Sequence, residues 1–451
     1  MAGWGSLIVV LKDAGVYAWK CDGDLAPCEA QDLALGGVWT AGTWAALFPS
    51  IFAGLILDRV GSRRTLMGSI VLFAGGACLF GASSRAFPAY VAGYGLMGLT
   101  APPSMLASVH AASLVPGREG LVIALVNGFM DAGALAFNVI LEWHKATPLA
   151  VPSVFFGYTG TVVLPIFLLA LFCWPRQMGE AHDDEGGNSD SADAENDGAV
   201  DGATATVSPP SAPAYSFARQ VRNRKWQLFS VFFCLGLLKF SWYLGSVDAH
   251  LGALGQAEDS PYSRVFGSIL PFGVLCSPIA GTVIDKFGVE ACMLAACFFN
   301  LAHSACALAP SLQAQVASFV CFAIFRSFFF ASATAYAAVI YGMENLGKVF
   351  GSTATLASVF ALLQLALLAW SIQGAGFAAG NAVVLGAALI QLAAVAWIWR
   401  LRAGRESSTA ETSEGAASDE AVAAAATTTA EKAEDDVEKS SFSGAAVVAV
   451  I

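Results

Sequence analysis

The feature that most constrains this chain is a series of long apolar runs, laid end to end with only short polar punctuation between them. They cover roughly 33–57, 65–83, 88–113, 119–141, 152–174, 226–246, 264–284, 290–309, 314–341, 349–371 and 377–399. About 20 apolar residues are enough to cross the hydrocarbon core of a bilayer, so these are eleven candidate spans. A shorter run, Met1 to Leu11, reads as the outer half of a first helix whose beginning is missing. It has no basic segment before it and no small-residue cleavage site after it, which argues against a signal peptide. Backbone in lipid must satisfy its own hydrogen bonds, and an unbroken apolar run does so as a helix. The residues are 56% hydrophobic and 13% charged, more apolar surface than a soluble domain can hide. The fold class is therefore an all-α polytopic membrane protein.

Charge divides the chain. Nine acids fall between Glu180 and Asp201 and ten between Glu406 and Glu438, so 19 of the 34 lie in two polar segments. The net charge of −11 describes those segments and not a cargo. Their Gly, Ser, Ala and Pro content is that of disordered chain. The expected organisation is an N-terminal helix bundle over 1–174, a linker over 175–225, a C-terminal bundle over 226–400 and a tail over 401–451. Fourteen Lys and Arg fall on the side that holds the linker and tail, and five on the other. Positive loops stay inside, which places linker and C-terminus in the cytoplasm. The plasma membrane is the default residence, since no retention or lipidation signal is visible.

The sharpest local pattern is Gly54-Leu-Ile-Leu-Asp58-Arg59-Val-Gly61-Ser-Arg63-Arg64, a tight basic turn between the second and third runs. A weaker copy, Gly281-Thr-Val-Ile-Asp285-Lys286-Phe-Gly288, comes after it at an offset of 227 residues, and Gly120 and Gly347 share that offset. The turn resembles the signature loop of major facilitator superfamily transporters. That resemblance implies two six-helix bundles related by a parallel repeat, the first helix here being incomplete. The acid of each turn is expected to meet the positive end of a neighbouring helix and nearby arginines. Gly54, Asp58, Arg59, Gly61, Arg63, Arg64, Asp285 and Lys286 would then form a conformational latch. Simple topology is the plainer reading, since arginines hold any turn inside.

Ionisable residues at membrane depth are costly and usually functional. Asp131 lies in the fifth run, Arg326 near the middle of the tenth, and Lys239 in the outer half of the seventh. Arg326 suits a substrate carboxylate, or an internal ion pair with Asp131. Lys239 lies near enough to a helix end to snorkel outward. Asn127, one turn before Asp131 on the same face, suits a substrate amine or a bridge between helices. Asp131 also suits a proton-coupling acid. His110, His303, Gln364 and Gln391 read as hydrogen-bonded packing residues. Eight cysteines inside the runs read as packing residues, whereas Cys21 and Cys28 share a polar outer loop where a disulfide or two thiols are both open.

Several segments narrow the resemblance. Ala2 to Tyr17 with Cys21, Asn127-Gly-Phe-Met-Asp131, Phe240-Ser-Trp-Tyr243-Leu-Gly245-Ser246, Arg326 to Tyr336 and Leu346 to Gln364 are similar to the L-type neutral amino-acid facilitators of solute carrier family 43. Departures are Lys239, where arginine is commoner, and Ala132-Gly133 in place of a serine pair. The resemblance implies a carrier of large neutral amino acids, with purine nucleobases carried by a related branch and other amino acids, cationic ones included, by similar parasite proteins. Asn127, Asp131, Lys239 and Arg326 are the expected substrate-binding residues. No hydrolase elbow, nucleotide-binding loop or metal-ligand spacing appears, so no enzyme activity, cofactor, metal or nucleic-acid partner is expected. The partners expected are a small amino-acid substrate and the bilayer. Facilitated and proton-coupled transport both stay open, as does a minor reading as a non-transporting sensor acting through the linker and tail.

Overall fold

Eleven full spans from the sequence meet a computed structural model in which helix alone is seen among the described residues, 4–21, 28–147, 150–175, 222–255 and 262–402. Nearly all of the acidic linker and tail lies outside them. Contacts divide the chain into Met1–Val395 and Ala396–Ile451. Of the second unit only 396–402 is described, as helix; the elements, cores and sites below all belong to the first.

The elements up to the linker are α1 (Trp4–Asp13), α2 (Glu29–Leu47), α3 (Ser50–Val60), α4 (Ser62–Gly81), α5 (Tyr90–Leu99), α6 (Ala101–Val109), α7 (Glu119–Ala132), α8 (Ala134–Ala146), α9 (Val151–Tyr158) and α10 (Leu164–Cys173). After it come α11 (Arg224–Ala253), α12 (Tyr262–Ile269), α13 (Ser277–Phe287), α14 (Val289–Ala307), α15 (Leu312–Tyr341), α16 (Leu346–Ala361) and α17 (Leu363–Trp370). Among the described residues, eight helices are long and apolar enough to cross a membrane, or nine if the bent pair Leu33–Leu47 and Ser50–Val60 is one span.

The difference from eleven has local causes. Pro49 lacks an N–H and its ring excludes a continuous ladder, so α2 and α3 meet at 44°. Pro102 and Pro103 sit at the start of α6 and split the run 88–113 into two short helices. The last counted stretch, which begins at Met343, merges two runs. It contains Gly374 at φ 146° and Gly376 at φ 79°, a left-handed turn that needs glycine.

The 227-residue repeat reappears as geometry. α3 and α13 start and stop at equivalent positions, Ser50–Val60 against Ser277–Phe287. Gly61 and Gly288 end them at φ 86°, ψ 161° and φ 89°, ψ 162°. α7 and α16 both begin at the equivalent residue, Glu119 and Leu346.

Among the described residues, apolar packing holds the helices in at least two places. One joins α1, α2, α4, α5 and α9 through Leu7, Leu35, Phe80, Tyr94 and Phe155. Another is aromatic and lies between α11 and α15, where Phe229 stacks on Tyr336 at 4.9 Å and Phe233 on Phe329 at 5.3 Å. On the loop after α1, Cys21 and Cys28 are joined as a disulfide.

Candidate functional site

α11 and α15 are each 30 residues long, about 45 Å at 1.5 Å per residue. Lys239 is the sixteenth residue of one and Arg326 the fifteenth of the other, so both cations lie at mid-length. This corrects the outward-snorkelling reading of Lys239. It is about 22 Å from either helix end, farther than its side chain reaches, and only 1% exposed. Its Nζ has no hydrogen-bond partner among the described residues. An ammonium so placed costs several kcal/mol unless something answers its charge.

Arg326 is 7% exposed, and its guanidinium lies over the Phe240 ring, 5.4 Å from the centroid. A cation on an aromatic face gains roughly 0.5–2 kcal/mol when desolvated. Phe240 in turn stacks on Phe322 at 6.0 Å and meets Phe330 edge-on at 5.5 Å. One α11 turn beyond Lys239, Tyr243 packs on Phe322 and on His303. A planar cation thus rests in an aromatic wall shared by α11 and α15.

Asn127, buried in α7, donates Nδ2 to the Ile123 carbonyl and accepts at Oδ1 from Thr334 Oγ1 of α15, 3.4 Å away. It bridges helices in this state. Thr334 is two turns along α15 from Arg326, about 12 Å. Asp131 follows Asn127 by one turn within α7; its side chain lies outside the described residues. His110 and His303 are hydrogen-bonded, to the Leu106 carbonyl and to Ser318. Gln391 bonds Asn300 and the Phe232 carbonyl.

The signature turns meet helix ends across the chain. Asp285 accepts from the backbone N–H groups of Gly120 (2.7 Å) and Leu121 (3.1 Å), at the start of α7. Asp58 accepts from those of Gly347 and Lys348, at the start of α16. Each carboxylate thus caps donors that a helix leaves unpaired, at its positive end. Glycine permits the approach: a Cβ on Gly54 would collide with the Gly347 carbonyl, and one on Gly281 with Leu121 Cα. The cation beside Asp58 is Lys348, at 3.6 Å, rather than an arginine. Arg59, Arg64 and Lys286 are exposed, and Arg63 donates to the Leu171 carbonyl at the end of α10. Composition favoured the arginines because they are adjacent in sequence. Lys348 was missed, although the repeat that pairs Gly120 with Gly347 points to its neighbourhood. Phe240 and Thr334 lie in segments that carry the family resemblance, but nothing in the sequence marks either as a site residue.

Comparison with known proteins fits this architecture. A family model described as Major Facilitator Superfamily matches residues 25–256. The chain is 22% identical over 377 residues to aromatic and large neutral amino acid transporter 5-3 of Toxoplasma gondii, covering 80% of this chain and 72% of that protein. It is 20% identical over 416 residues to equilibrative nucleobase transporter 1 of Bos taurus, covering 81% and 85%. Among solved structures it is similar to FucP in the outward conformation (TM-score 0.59, 13% identity, 88% of this chain and 95% of that one).

Proposed function

We propose that this chain, which belongs to the Major Facilitator Superfamily, carries amino acids, large neutral ones first, across a bilayer by alternating access. It is a multi-pass membrane transporter and not an enzyme. The observation that carries the reading is Arg326, a permanent cation buried at the midpoint of α15 and stacked on Phe240, in a chain with relatives named as amino-acid transporters. A guanidinium at that depth offers two parallel donors to an α-carboxylate, and the wall of Phe240, Phe322 and Phe330 offers an apolar face to a large side chain. Lys239 adds positive charge at the same depth. Asn127 and Asp131 on α7 are assigned the α-ammonium, so the site draws on helices from both repeats.

In this proposal 1–174 and 226–400 are the two moving bundles, and 175–225 and 401–451 are cytoplasmic. Asp58 and Asp285 are latches of the cytoplasmic side, closed while they cap α16 and α7 and broken when that side opens. The plasma membrane is the proposed residence.

A second reading, a carrier of purine nucleobases, draws on the bovine relative, which spans 85% of its own length in the match, and on the same flat aromatic wall. Uptake of labelled leucine, arginine and adenine by one expressing system separates the two. Leucine uptake that excess adenine does not inhibit supports the amino-acid reading, whereas adenine uptake without leucine uptake replaces it. Leucine uptake is expected to be flat against external pH; a rise on acidification that Asp131→Asn removes would instead make Asp131 a proton carrier.

A further inference from the structure

The two latches occupy equivalent places in the repeat, yet the residues around them differ. On the Asp285 side, α13 meets α7 through two backbone donors, from Gly120 and Leu121. On the Asp58 side, α3 meets α16 through the corresponding donors of Gly347 and Lys348 and then adds more. Where one side has Leu121, the other has Lys348, whose Nζ lies 3.6 Å from Asp58. By whole residue Asp58 is half-buried, its side chain 3% exposed, whereas Asp285 is exposed. A carboxylate in water gives up a partner at little cost, and a buried one does not.

Two turns deeper the contrast is larger. Where α7 has Gly128, α16 has Thr355. The bend at Pro49 leaves backbone groups of the second span without helical partners. Thr355 Oγ1 accepts from Ile51 N at 3.1 Å and donates to the Phe48 carbonyl at 3.0 Å, so one hydroxyl satisfies a donor and an acceptor at the bend. At the matching place on the other seam, Gly128 lies against Ser277, with no room for a Cβ. The Ser277 hydroxyl has no hydrogen-bond partner among the described residues. Among the described residues the α3–α16 seam is tied by side chains at two levels, whereas the α7–α13 seam has only the Asp285 carboxylate; the other side-chain tie of α7 across the repeats is the 3.4 Å contact of Asn127 with Thr334, on α15 and outside that seam.

We infer that the cytoplasmic side opens unequally: the α7–α13 seam parts first, while Thr355 and Lys348 hold the α3–α16 seam as the pivot. Thr355 and Lys348 are positioning residues for the conformational step and touch no cargo, so the inference does not depend on which substrate is carried. The bend in the second span is then the place where the pivot grips.

The experiment uses the full chain, purified and spin-labelled at exposed pairs: Val60 with Glu344 across the pivot, and Phe287 with Arg118 across the other seam. Asp285→Ala is introduced to release the weaker seam without ligand. A long-distance population is expected across Phe287–Arg118 and should exceed that across Val60–Glu344 by about tenfold, roughly what two ordinary hydrogen bonds supply. Adding Thr355→Val should bring the long population to both pairs, and Thr355→Ser, which keeps the hydroxyl, should restore the short distance across the pivot. Equal lengthening at both pairs in Asp285→Ala, or a Thr355→Val protein whose pivot distance does not change, overturns the inference. Both readouts are distances in folded protein, so a variant that elutes as aggregate is replaced by Lys348→Met in place of Thr355→Val, with the same expectation.

Discussion

Arg326 and Lys239 share a depth but not a set of neighbours, and the two should respond differently to substitution. Arg326→Lys keeps the charge and removes the planar group that lies on Phe240. Stacking and paired donors together are worth about 1–3 kcal/mol, so leucine uptake per transporter is expected to fall about 10–100-fold, measured against surface protein. Arg326→Ala should abolish leucine uptake while leaving uptake of an amine without the carboxylate; equal loss of both would assign Arg326 to an internal ion pair. Lys239→Met replaces an ammonium that has no hydrogen-bond partner among the described residues by an apolar chain of similar volume. Such exchanges are neutral or stabilising by about 1–4 kcal/mol, so the purified protein should melt at the same or a higher temperature while uptake falls. A lower melting temperature would mean that Lys239 holds the bundle together. The presence of Arg326 at mid-depth was legible in the sequence, because a charge in the centre of a 28-residue apolar run has nowhere else to go. The depth of Lys239 was not. The apolar run stops near Ser246, but α11 continues past exposed Asp248 and buried His250 to Ala253, since a helix need not end where polar residues begin.

Among the elements, the paired seams depend on glycine more than on charge. Gly54→Ala would push a methyl group into the Gly347 carbonyl, and packed helices relieve such overlap only by separating, at about 1–3 kcal/mol or more. Gly54→Ala is therefore expected to populate the form open on the latch side, read as faster alkylation of a cysteine placed at Ser352; unchanged alkylation would show that the seam yields without opening. Gly61→Ala tests a different cost. Its φ of 86° and ψ of 161° leave open space around a Cβ but strain the backbone by about 1–3 kcal/mol, so it should lower the melting temperature without raising alkylation. Much at this scale could be read beforehand. The offset of 227 residues located both turns, and their matched helix ends and glycine dihedrals agree with it. The partner of Asp58 was legible only as a neighbourhood, through the repeat that pairs Gly120 with Gly347; lysine at 348 is distant in sequence by 290 residues and meets Asp58 only after the helices have packed. The broken spans at Pro49 and at Pro102-Pro103 were visible as residues, yet apolar run length alone hid how strongly they divide the helices.

At the scale of the molecule, two kinds of information separate. Apolar run length specifies a multi-pass helical protein, the repeated turn specifies the facilitator fold by resemblance, and similarity to FucP at a TM-score of 0.59 with 13% identity agrees on fold alone. In the proposed reading, cargo would be set by a few side chains between long helices, where the aromatic wall around Arg326 would suit either a large neutral amino acid or a flat base. Which of these enters decides the role of every residue in the site. The most direct measurement is uptake of labelled leucine into vesicles holding the purified full chain, with unlabelled adenine, arginine and leucine as competitors. Saturable leucine uptake is expected, blocked by leucine, little affected by adenine and lost in Arg326→Ala. Uptake of adenine with none of leucine would contradict an amino-acid carrier.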